Sequence, residues 1–338
     1  MTSYQRFMSA LSGQKPDQVP VMVFNRDWAM QQVGFTVNDM MNGVERFVFA
    51  QYHCAIEFGY DAVQDPHGIS AESEALGCPL RIEEGFPLTV IDHPIRDYEK
   101  DLSGLKVLDP YRDGRLPSIL EMVRRLKELC AGSFVVNPYI QAPFRNAAML
   151  RGTDVYKDLS RNRDHLVQLL EKTLISQIAY GNALVNAGAD VLVISDPTSS
   201  GDVVSRAYWL ELGHEYVKKL VKYLRPTGVK IYLHICGDNN DRLETFADLD
   251  LDGISFGEKV DLEAARNTLG DRTCIIGNVG TANLLNSSPE AIADESRMCI
   301  EKAGKNGSFI LCSGCSISKD CPPENIRAMV STASEYKY

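Results

Sequence analysis

The chain has 338 residues, 44% hydrophobic and 24% charged, with a net charge of −10 and a pI near 5.2. That length and apolar content suit one large core, and an acidic balance with no basic block of five or more disfavours nucleic-acid binding. No run of 18 apolar residues occurs, so no membrane span is expected. Nine cysteines behind an N-terminus without a signal-peptide core point to reduced thiols in the cytoplasm.

In chain order, Tyr4 to Leu11 reads as an amphipathic helix stopped by Gly13 and Pro16. Val19 to Phe24 reads as a first strand ending at Asn25-Arg26-Asp27, and residues 36–57 as a helix with Phe47, Phe49 and Ile56 in the core. A second strand, Ala62-Val63-Gln64, ends at Asp65-Pro66-His67. Residues 68–115, with scattered Gly and Pro, read as an insertion carrying a small hairpin near Leu88 to Ile91. Pro117 to Cys130 is expected to be a helix, with Ile119, Leu120, Val123, Leu126 and Leu129 at helical spacing.

From there strands and helices alternate. Phe134–Asn137 is followed by Gln141 and helices near 145–151, 153–159 and 162–187. Asp190–Ile194 ends at Ser195-Asp196-Pro197, and a helix from Tyr208 to Leu224 leads to the strand Val229–Leu233. Gly253–Phe256 precedes Glu258, Cys274–Gly277 precedes Asn278, and Phe309–Cys312 precedes Cys315. Such alternation implies a parallel sheet, and eight strands close a (β/α)8 TIM barrel over a single domain, 1–338.

Barrel active sites lie at the C-terminal ends of the strands. The polar residues expected there are Arg26, Asp65, Gln141, Asp196, His234, Glu258, Asn278 and Cys315. Each alone is equally well read as a loop or helix-cap residue. The stretch Tyr232-Leu233-His234-Ile235-Cys236-Gly237 stands out. Residues i and i+2 of a strand share a face, with Cα atoms roughly 6.5–7 Å apart, so imidazole and thiolate can converge on one ion. Zinc suits that pair, and a third ligand must come from another strand end. In Cys312-Ser313-Gly314-Cys315 the preferred donor is Cys315, beyond the strand, rather than Cys312 within it. Glu258 is a candidate fourth ligand, and His67 a candidate substrate contact. Cys54, Cys130, Cys274 and Cys299 read as small core residues, and His53, His93, His165 and His214 as structural or solvated.

Through these residues the chain resembles the uroporphyrinogen decarboxylase superfamily, and within it the zinc-dependent, corrinoid-dependent methyltransferases of the coenzyme M type. The resemblance rests on Ala71-Glu72-Ser73-Glu74-Ala75-Leu76-Gly77, Ile194-Ser195-Asp196-Pro197, Leu233-His234-Ile235-Cys236-Gly237, Gly277-Asn278-Val279, Ser313-Gly314-Cys315 and Pro323-Glu324-Asn325-Ile326. It implies zinc held by His234, Cys236 and Cys315, with Glu258-Lys259-Val260 near the metal. It also implies methyl transfer between a corrinoid (cobalamin) on a separate protein and a small donor or acceptor, a thiol foremost. Asp196, Gln141, Asn278 and Arg26 would then position substrate or tune the ligands. Two other readings stay open: a metal-free carboxy-lyase using Arg26 and Asp65, and a non-catalytic corrinoid-protein-binding barrel with structural zinc. The Arg-Gln-Ala-Gly-Arg segment of true decarboxylases has no counterpart at Asn25-Arg26-Asp27-Trp28, which weighs against the first.

Overall fold

The computed structural model describes residues 1–64, 70–83 and 88–338. Asp65 and His67 lie outside the described residues. In chain order the strands are β1 (Val21–Met22), β2 (Ala62–Val63), β3 (Leu80–Arg81), β4 (Thr89–Val90), β5 (Val135–Val136), β6 (Tyr139–Gln141), β7 (Val191–Ser195), β8 (Lys230–Ile235), β9 (Gly253–Phe256), β10 (Cys274–Val279) and β11 (Phe309–Ser313). Seven of them form one curled sheet, β1-β11-β10-β9-β8-β7-β6. Every pairing in it is parallel. A second parallel pair, β2 and β5, stands beside it. The α/β alternation and the curled parallel sheet are TIM-barrel-like.

Local chemistry explains the seams. β5 runs on into β6 across Pro138, which has no N–H to give a ladder. Its carbonyl still accepts from Val193 N–H at 2.9 Å. Between β1 and β2 a side chain completes the joint. Asp61 N–H donates to Val21 O at 2.8 Å, and the Asp61 carboxylate accepts Val21 N–H at 2.7 Å. β3 and β4 are antiparallel and lie within the 68–115 segment.

The strands are apolar on both faces because both are covered. Leu192 and Ile194 face the outer helices, whereas Val191 and Val193 join Met22, Tyr139, Tyr232, Ile276 and Cys312 in an inner cluster. The N-terminal helix, Ser3–Leu11, adds Phe7, Ala10 and Leu11 to that inner cluster. Outer helices include Pro143–Arg151, Pro289–Ala303 and Pro323–Glu335, each opened by a proline where no N–H is needed. Among the described residues no helix is long and apolar enough to cross a membrane.

Some expectations need correction. The 36–57 segment is two helices, Val37–Asn42 and Val44–Phe58, broken at Gly43. Phe47 is buried, but Phe49 and Ile56 are 50% and 58% exposed. Restarting at Val44 sets the buried face by Phe47, Val48, Ala50 and Gln51, which turns Phe49 and Ile56 outward. Leu129, 43% exposed, is likewise off the buried stripe of Leu116–Cys130. A short helix, Arg26–Gln32, was not expected; it places Arg26 at a helix start directly beyond β1.

Candidate metal centre

The parallel register assembles the site. His234 in β8 pairs with Ser195 of β7 on one side and Ser255 of β9 on the other. Tyr232 points into the inner cluster, so His234, two residues on, shares its face, and Cys236 follows just past the strand end. β11 ends at Ser313, and Gly314 then carries the chain to Cys315. One ligand atom from each of His234, Cys236 and Cys315 lies within 4.8 Å of the other two. Tetrahedral zinc needs such atoms about 3.3–3.8 Å apart, given bonds of about 2.0–2.3 Å, so a slight contraction suffices.

The imidazole is fixed on two sides. Nδ1 lies 3.0 Å from Ser255 Oγ, leaving Nε2 for the sulfurs. The Phe24 ring meets the imidazole edge-on at 4.7 Å. The sulfurs interact as a pair. Contact with Cys315 pushes the Cys236 thiol up, with burial adding to it. The Cys236 S–H and then His234 draw the Cys315 thiol down, against its burial. Two sulfurs disposed to share one proton, beside an imidazole, are a donor set suited to zinc.

Glycines let the loops close. A Cβ on Gly257 would stand 3.2 Å from Cys236 Cα. One on Gly314 would stand 2.7 Å from Glu258 Oε2 and 2.9 Å from Glu258 N. Glu258 is therefore packed beside the residue before Cys315, but it is exposed and outside the three-donor cluster. Asn278 donates to Gly257 O and Val260 O, both at 2.9 Å, and so braces the loop that carries Glu258.

A cavity of about 160 Å³ opens over the donors, lined by Phe24, Arg26, Tyr139, Arg145, Ser195, Pro197, His234, Cys236, Cys315 and Ser316. Arg26 donates to Ser316 Oγ at 2.7 Å and lies over the Tyr139 ring. Arg145 donates to Ser195 Oγ at 3.3 Å, and its buried Nε has no hydrogen-bond partner among the described residues. Asp196 and Gln141 do not line this cavity. Both Asp196 oxygens accept hydroxyls, from Thr198 at 2.7 Å and Ser199 at 2.6 Å, and Gln141 meets Ser73 Oγ. Cys312 stays in the inner cluster, where burial pushes its thiol up.

Cys54, Cys130, Cys274 and Cys299 are buried core residues. Cys321 is buried too and donates to Leu284 O. His53 stacks on Phe49, His165 on Tyr98, and His214 bonds Thr245 O and Asp248. The sequence reading missed Ser255 and Phe24. Phe24 is the last residue of the first apolar run, two beyond Met22 on the inner face. Ser255, the polar residue of an apolar strand, gains its role only through register with His234.

Known proteins share this architecture. MtbA, a methylcobamide:CoM methyltransferase of Methanosarcina acetivorans, is 28% identical over 100% of both chains. A uroporphyrinogen decarboxylase of Psychromonas ingrahamii is 27% identical over 98% of this chain and 96% of its own. A solved methyltransferase from Methanosarcina mazei superposes with a TM-score of 0.90 at 27% identity, covering 99% of each chain. The family model for uroporphyrinogen decarboxylase (URO-D) matches residues 2–336, and the chain belongs to that family.

Proposed function

We propose that this protein is a zinc-dependent methyltransferase that moves a methyl group between a corrinoid on a partner protein and a small thiol. The observation that carries this reading is the convergence of His234, Cys236 and Cys315 on one cavity at the strand ends, with two arginines in its wall. Methylcobamide:CoM and methylated-thiol–coenzyme M methyltransferases among the relatives support it. Hydrogen bonds from β1 through Asp61 to β5, and on through β6 to β7, support reading the strands as a closed eight-stranded barrel.

A free thiol has a pKa of about 8.5 and is mostly protonated at neutral pH. Bound zinc would shift a substrate thiol to its thiolate while leaving sulfur lone pairs for attack. The chain's own residues do the rest. Ser255 holds the His234 ring in orientation. Arg26 and Arg145 suit an acidic tail on the thiol, since the side-chain acceptors they meet among the described residues, Ser316 and Ser195, are uncharged. Phe24 and Tyr139 wall the cavity and limit water.

In the overall exchange the thiol loses its proton and its sulfur bonds the methyl carbon. The carbon–cobalt bond breaks with its electron pair left on cobalt, which goes from Co(III) to Co(I), and a thioether leaves. The same donors serve the reverse direction. Glu258, beside Gly314 at the rim, would supply a fourth donor to zinc when no substrate is bound.

Cys315→Ala tests the reading. Zinc content below half an equivalent, with loss of methyl transfer from methylcobalamin to thiols, is expected. Full turnover by the metal-free protein would overturn it.

A further inference from the structure

Beyond Arg145 lies a second and larger cavity. It measures about 340 Å³, and its wall, mostly apolar, includes Leu88 and Val90 at the β4 arm of the hairpin, Ala148 and Met149 of the helix Pro143–Arg151, and Tyr156. Arg145 lines both this cavity and the one over the metal donors. Among the described residues its buried Nε lacks a hydrogen-bond partner, and Ser195 Oγ is its one side-chain acceptor. Burial works against the charge of this guanidinium, with Asp196 the foremost group opposing that effect. Asp196 in turn has both oxygens occupied by Thr198 and Ser199. A guanidinium so placed is completed by an acidic group arriving between the two cavities.

Size decides which group the acid carries with it. An engineered cavity of about 150 Å³ lined by apolar side chains holds a benzene ring. The cavity beyond Arg145 is more than twice that size, while a corrin macrocycle, many times larger than benzene, does not fit it.

We infer that this cavity is a subsite for an apolar, ring-sized group on the small substrate, whose acid sits on Arg145 and whose sulfur reaches His234, Cys236 and Cys315. The inference rests on the methyltransferase reading and deepens it. The small substrate is then an acidic thiol, or its methyl thioether, with an aryl or branched alkyl group on the carbon bearing the acid. A minimal acidic thiol fills only the smaller cavity.

The test is calorimetric binding to the zinc-loaded protein of two thiols, 3-mercaptopropanoate and 2-benzyl-3-mercaptopropanoate. They share the thiol arm and the acid and differ by the benzyl group. The benzyl compound is expected to bind at least tenfold more tightly. Ala148→Leu and, separately, Met149→Trp fill the cavity and are expected to remove that advantage while leaving 3-mercaptopropanoate within twofold. Equal or weaker binding of the benzyl compound to the unaltered protein, or an advantage that survives both substitutions, overturns the inference. A third ligand, 3-phenylpropanoate, has no sulfur. If methyl transfer fails with every thiol, yet this acid binds and loses at least tenfold affinity in both Ala148→Leu and Arg145→Gln, the subsite stands and the methyltransferase reading falls.

Discussion

Ser255 Oγ lies 3.0 Å from His234 Nδ1, across the β8–β9 register. A partner on the far nitrogen of a ligating histidine fixes ring orientation, and its loss commonly costs about 10–100-fold in metal affinity. Ser255→Ala is expected to fall in that range by chelator competition, with the melting temperature of the metal-free protein nearly unchanged. Unaltered zinc affinity would remove Ser255 from the site.

Gly314→Ala places a methyl group 2.7 Å from Glu258 Oε2 and 2.9 Å from the Glu258 backbone nitrogen. The carboxylate can swing away, but the backbone cannot, so the loop bearing Cys315 must move. Overpacking of this kind costs about 1–3 kcal/mol. Zinc affinity and turnover are expected to drop at least tenfold. If both hold while thermal stability falls, the glycine contact serves the fold and not the donors.

Arg26 is buried, bonded to Ser316 Oγ and stacked over Tyr139 at 5.0 Å. Arg26→Gln keeps a hydrogen-bonding amide but removes the charge. KM for an acidic thiol is expected to rise about 10–100-fold, the scale of one charge-assisted hydrogen bond of about 1.5–3 kcal/mol. KM for a neutral thiol such as 2-mercaptoethanol should change less than twofold. Equal rises for both would mean that Arg26 shapes the cavity and does not select charge.

Asp252, just before β9, gives a pH-dependent prediction. Burial pushes its carboxyl up, but Lys230, Arg225 and the Ile231 N–H together more than offset that, and the net shift is downward. A carboxyl whose pKa is lower in the folded than in the unfolded chain adds stability above the unfolded value, about 3.9, and that contribution fades as pH falls toward the folded value. Asp252→Asn is expected to cost about 1–3 kcal/mol at pH 7 by denaturant unfolding. The gap should narrow steadily below about pH 4. A gap constant from pH 7 to pH 3 would refute the assignment.

The convergence of His234, Cys236 and Cys315 was legible in the sequence because strand periodicity is local: His234 and Cys236 share a face whatever surrounds them. Cys315 was separable from Cys312 because one lies beyond an apolar run and the other inside it. What depends on distant partners was not legible. Asp196 and Gln141 end strands as expected, yet neighbouring hydroxyls take up their polar groups. Arg145 sits inside a helical stretch with nothing local to mark it, and only its position between two cavities sets it apart. The exposure of Phe49 followed from where a helix restarts after Gly43, which shifts the phase of every later residue.

The donors at positions 234, 236 and 315 sit late in a chain of 338 residues, with β9 and β10 between the two contributing strands. During synthesis the first two emerge long before the third, and two ligands alone hold an ion poorly. A cation kept by this trio is therefore captured after translation is nearly done and β11 has docked. On the zinc reading, loading becomes a checkpoint on completed folding, and a truncated chain that stops short of Cys315 lacks the third donor.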